Sequence, residues 1–76
     1  MELKEFIQNF ADQFDDTEPS EFKANTVFKE LEEWSSLFAL SIIAMVDEEY
    51  DATIKGADIQ NANTIQDLFN IVKAKM

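Results

Sequence analysis

Apolar residues fall at helical spacing in three stretches of this 76-residue chain. From Glu2 to about Phe14, the side chains Phe6, Phe10 and Phe14 recur every fourth residue, with Leu3 and Ile7 alongside. That spacing places them on one side of a helix. Asp12, Asp15 and Asp16 gather where the helix dipole disfavours negative charge, so the helix is expected to stop near there. "DDTEPSE", residues 15–21, then reads as a polar loop, because Pro19 opposes helix through its centre. Residues 22–34 are less regular, yet Phe22, Val27, Phe28, Leu31 and Trp34 are too apolar to leave in water. The expectation is a long connection pinned to the core, with Thr26 capping a helical turn through Leu31.

From Ser36 to Tyr50 the pattern is helical again. Leu40, Ile43, Val46 and Tyr50 fall on one stripe, flanked by Leu37 and Ala44, and the stripe is expected to be core. Gly56 is expected to end the next connection, and "ADIQNA" to form a short helical turn carrying Ile59. Asn63 or Thr64 can cap the last helix, with Gln66 or Asp67 respectively in the capping-box position. Its buried face is Ile65, Leu68, Phe69 and Val72, and Lys73 and Lys75 suit its carboxyl end. The sum is an all-α fold in one domain, residues 1–76. It is a small bundle of three principal helices, a short third helix and a long first loop.

Composition supports this and narrows the chemistry. One glycine and one proline are too few for a many-stranded β domain. There is no cysteine, hence no disulfide, thiolate zinc site or thiol nucleophile. There is no histidine, so no Ser-His-Asp or Cys-His mechanism can operate within the chain. The expectation is a protein that is not an enzyme. A formal charge of −10 disfavours nucleic acid and anionic membranes as partners and favours basic protein surfaces. "MELKEFIQNF" has acids where a signal peptide needs an apolar core, and the longest apolar run, Leu37 to Val46, is interrupted at Ser41. The expected location is the cytoplasm, and the expected state a monomer.

Two features bear on function. The acids Glu30, Glu32 and Glu33 precede the central helix, and Asp47, Glu48, Glu49 and Asp51 close it. Stability does not select acids at a helix carboxyl end, so a docking surface stands beside a plain solvated face as a reading. "DEEYDATIKGAD" lacks the alternating ligands and final Glu of an EF-hand, and no dedicated metal site is expected. The second feature is the serine pair. If Ser35 caps the helix through its side chain, Ser36 becomes the first helical residue, outward-facing at the positive end of the dipole. A phosphoester there would be well placed, although any helix opening on Ser-Ser offers as much.

The stretch "WSSLFALSIIAMVDEEYDATI", residues 34–54, resembles the acyl carrier protein family. There an Asp-Ser-Leu element opens the second helix, and its serine carries 4′-phosphopantetheine. Ser36-Leu37 matches the Ser-Leu of that element, "DEEYDATI" is similar to the family's acidic run, and "ADIQNANTIQDLFNIV" resembles its third and fourth helices. The likeness covers essentially the whole chain. It implies a four-helix acyl-carrier-like bundle whose arm, taken from coenzyme A, is attached to Ser36 by a phosphopantetheinyl transferase. The arm would supply the thiol this chain lacks. The implied function is to carry acyl intermediates as thioesters to separate fatty-acid- or polyketide-type synthases and transferases with basic docking surfaces.

The chain departs from the family at Ser35, where an aspartate is usual, and at Phe38 and Ser41, where typical fatty-acid carriers often have acids. Trp34 is also unusual for that type. The resemblance implies partner docking through Leu37, Phe38, Ser41, Asp47 and Glu48. For Phe38, burial against the long loop is the competing expectation. An aminoacyl or peptidyl carrier, or a non-carrier acidic interaction module in which Ser36 only begins a helix, are the alternative functions.

Overall fold

Aromatic side chains organise the interior of the computed structural model, which describes residues 2–76. Phe10 lies 5.5–6.5 Å, centroid to centroid, from the rings of Phe6, Phe14, Phe22, Phe28 and Trp34. Those partners come from the first helix and from the loop, so the same cluster that buries the helix also holds the loop down. The elements are α1 (Leu3–Ala11), α2 (Ser36–Tyr50), α3 (Gly56–Asn61) and α4 (Ile65–Lys75). Single 3₁₀ turns at Pro19–Glu21 and Phe28–Glu30 interrupt the long α1–α2 connection. Among the described residues there is no strand, only an isolated antiparallel bridge between Val27 and Thr64. The fold is therefore the all-α four-helix bundle expected, with α4 packed on α1 and α3, and α2 on α1 and α3.

The first helix ends at Ala11 rather than near Phe14. Two tight turns follow, Gln13 N–H to Phe10 C=O at 3.2 Å and Phe14 N–H to Ala11 C=O at 3.0 Å. Such i→i−3 bonds satisfy terminal carbonyls and still roll Phe14 into the core, so its burial survives the loss of α-helix.

The loop is fastened at both ends and in its middle. Glu33 reaches back across it, accepting from Thr17 Oγ1 at 2.7 Å and from the Asp15 and Asp16 N–H groups at 3.2–3.3 Å. Those bonds, the Thr17 hydroxyl first, hold its carboxyl below the usual range against a smaller opposing desolvation. Thr26 does not cap the Phe28–Glu30 turn, which has no side-chain cap. Its hydroxyl instead accepts from Lys23 N–H at 2.8 Å and donates to Glu21 C=O at 2.7 Å, closing the loop on itself.

The start of α4 shows how completely a helix end can be satisfied here. Its first two N–H groups, on Ile65 and Gln66, donate to Thr26 and Ala24 carbonyls of the loop at 3.1 and 2.9 Å. The next, on Asp67, donates to Thr64 Oγ1 at 3.1 Å, and Asp67 Oδ2 accepts in return from Thr64 and Asn63 N–H. Of the two caps the sequence allows, Thr64 is the one used.

The buried stripe of α2 differs from the one expected. Ile42, Met45 and Val46 are buried and Ile43 and Tyr50 half-buried, whereas Leu40 is 63% exposed and Leu37 70%. This helix is apolar nearly all round, so periodicity alone does not select its inner face. Tertiary contacts do. Phe38 stacks on Phe14 at 4.7 Å with 3° between ring planes, and Tyr50 packs on Phe6 at 5.8 Å. The Tyr50 hydroxyl accepts from Asn9 Nδ2 at 2.7 Å. Together these turn Leu37 and Leu40 to solvent.

Candidate functional site

The amino end of α2 is open in a way that α4 is not. Ser35 occupies the N-cap position with extended backbone, but its side chain makes no capping bond. The first intrahelical bond runs from Ala39 N–H to Ser35 C=O at 3.1 Å. The N–H groups of Ser36, Leu37 and Phe38 have no partner among the described residues, and Ser35, Ser36 and Leu37 are exposed. The expected capping role of Ser35 is thus not realised: it ends the loop without satisfying a donor. Ser36 is the first residue of α2, as anticipated, and its hydroxyl makes no hydrogen bond among the described residues.

The first turn of α2 also carries no acid, whereas α1, α3 and α4 have Glu5, Asp58 and Asp67 in theirs. An anionic group at this end would be stabilised by the dipole, with donors free to face it. The adjoining loop is held by the Glu33 clamp and by Trp34, whose ring lies 5.0 Å from Phe28 and stacks nearly parallel to Phe10 at 6.5 Å. Ser36 therefore starts from a fixed position although the chain around it is exposed.

No protein-family model, curated protein or solved structure matches the chain.

Below Ser36, one side of α2 faces water. At about 100° per residue, Leu37, Ser41 and Glu48 share that side with Leu40, Ala44 and Asp47. Of the five expected docking residues, the structure brings Leu37, Ser41, Asp47 and Glu48 together there. Leu37, Asp47 and Glu48 are exposed, while Ser41 is half-exposed and donates back to Leu37 C=O at 3.3 Å. Phe38 does not join them. It is rotated about a quarter turn away and stacked on Phe14, just past the end of α1, so packing takes it off the side that Leu37 and Glu48 share.

Leu40 is the residue that the sequence reading misplaced. It stands one turn below Ser36 on the exposed side, a position legible only as i+4 from that serine. Glu33 gave no signal distinguishing it from Glu30 and Glu32. The loop acids do not converge on Ser36: Asp16, Glu21, Glu30, Glu32 and Glu33 line a separate open concavity of about 540 Å³ with Thr17 and Leu31. No helix among the described residues is long and apolar enough to cross a membrane.

Proposed function

We propose that this chain is an acyl carrier protein, taking 4′-phosphopantetheine on Ser36 Oγ and presenting acyl thioesters to separate biosynthetic enzymes. The observation that carries the proposal is the exposed, uncapped start of α2, where, among the described residues, the Ser36 hydroxyl and three N–H groups have no partner and the first turn holds no acid. Those features suit a phosphodiester, which would supply the negative charge and acceptors that this helix end lacks. When bound, the arm provides the thiol for thioester chemistry. The chain's own part is to hold Ser36 at a rigid junction and to offer a docking face beside it. Because Ser36 Oγ has no hydrogen-bond partner among the described residues, a base on the transferase would take its proton as Oγ bonds to the pantetheine-bearing phosphorus of coenzyme A and adenosine 3′,5′-bisphosphate leaves.

The docking face is mixed. Leu37 and Leu40 supply an apolar patch next to Ser36, and Asp47 and Glu48 supply charge about two to three turns below. A partner would meet it with an apolar contact near the serine and basic side chains further down. That same patch also favours a second reading, a non-carrier interaction module in which Ser36 is unmodified.

Incubation of the purified chain with coenzyme A and a broad-specificity phosphopantetheinyl transferase separates the two. The carrier reading predicts an increase in intact mass by one phosphopantetheine, abolished by Ser36→Ala and retained by Ser35→Ala. An unchanged mass, with a control carrier modified in parallel, would support the interaction module instead.

A further inference from the structure

Helix α1 carries a second apolar stripe beside the one it buries. Phe6 and Phe10 are fully buried, but Leu3, Ile7 and Ala11, also one turn apart, are only half-buried. Together with Pro19 and Phe22 of the loop they form an open groove of about 410 Å³, whose remaining walls are Lys4, Gln8 and Lys23. That volume lies within the range of small-molecule sites, about 300–1,000 Å³. No lining residue belongs to α2, so the groove is distinct from the Ser36 region.

The lysines give the groove its character. Among the chain's six cations, Lys29 donates to Gln60 C=O at 2.9 Å, Lys73 lies over the Phe69 ring, and Lys75 pairs with Asp58 at 3.6 Å. Lys4, Lys23 and Lys55 are exposed and their ammonium groups make no ion pair or hydrogen bond among the described residues; of these, Lys4 and Lys23 line the groove and Lys55 does not. Two unengaged ammonium groups thus stand on an apolar groove in a chain of net charge −10. Lysine stems can extend apolar walls while their heads stay in water, where they would meet an anion at the groove's edge.

We infer that this groove binds a medium-chain alkyl carboxylate, its hydrocarbon along Leu3, Ile7, Ala11 and Phe22 and its carboxylate at the groove's edge, in the combined field of Lys4 and Lys23. Chain length follows from the helix: Leu3 to Ala11 spans about 12 Å at ~1.5 Å per residue. Sign selectivity follows from the lysines. The body as a whole attracts cations, so preference for an anionic amphiphile can only come from a local site. Binding here does not depend on modification of Ser36.

The test titrates the unmodified, isotope-labelled full chain with decanoate below its micellar range, with decyltrimethylammonium as the opposite-charge control. Decanoate is expected to shift the amide resonances of Leu3, Ile7 and Phe22 saturably, and the ammonium is not expected to reproduce those shifts. Replacing both cations, Lys4→Gln with Lys23→Gln, should weaken decanoate binding about tenfold, the product of two exposed ion pairs at about threefold each. Ile7→Gln should weaken it while sparing the lysines. If that variant does not fold, the lysine pair, both at exposed positions, still decides. Non-saturable shifts, shifts centred on other helices, equal binding by the lysine double variant, or equal occupancy by the ammonium amphiphile would each overturn the assignment.

Discussion

Replacing Phe38 by alanine discriminates between a docking role and a packing role for a residue beside Ser36. The ring is half-buried and stacked on Phe14 at 4.7 Å with 3° between planes, and Phe14 itself contacts Phe10, Phe22 and Trp34. A fully buried Phe→Ala change costs about 3–5 kcal/mol, so a half-buried ring should cost about 2 kcal/mol. Part of that is the ring pair: a double-mutant cycle with Phe14→Ala should give a coupling of about 0.5–1.5 kcal/mol. Urea unfolding followed by far-UV circular dichroism and by Trp34 fluorescence measures both. With a slope near 1 kcal/mol/M for so small a domain, the Phe38→Ala midpoint should fall by about 2 M. A change below about 0.5 kcal/mol, or no coupling to Phe14, would refute the packing account and return Phe38 to the docking face.

The other consequences are as specific. Thr64→Ala should cost about 1 kcal/mol in the same assay, because its hydroxyl accepts from Asp67 N–H, whereas Ser35→Ala should stay within about 0.5 kcal/mol because that side chain caps nothing. Leu40→Ala should likewise leave stability within about 0.5 kcal/mol, while Ile42→Ala, removing a fully buried side chain, should cost about 2–5 kcal/mol. The Glu33 carboxyl is held below its ordinary value of 4.5 in the folded chain, so its clamp stabilises above that pH and is lost as pH falls through the lowered value. The melting-temperature difference between the parent chain and Glu33→Gln should therefore be full near neutrality and shrink steadily below pH 4.5. A difference that grows on acidification would contradict the clamp.

Much of the bundle could be read from spacing because its helices are short and amphipathic. The apolar stripe of α1 and the buried face of α4 each have one physical solution, and the cap of α4 was narrowed to two, Asn63 and Thr64, of which Thr64 is used. The exceptions are positions where tertiary contacts decide among equals. With apolar residues nearly all round α2, the choice between Leu40 and Ile42 as core falls to Phe14 and Phe6, which are distant in sequence. Thr26 and Glu33 are polar residues in a loop, and their partners, at Glu21, Lys23 and Thr17, depend on how that loop closes. At the candidate site, the position of Ser36 at the head of α2 was legible from the switch between acidic and apolar composition. That Ser35 would leave the helix end open was not, since a serine before a helix ordinarily caps it.

The proposed carrier function turns on a single covalent bond. Fragmentation mass spectrometry of the chain after treatment with coenzyme A and a phosphopantetheinyl transferase should place one phosphopantetheine on Ser36. Modification on Ser35, or none on a folded chain while a control carrier is loaded, would contradict it.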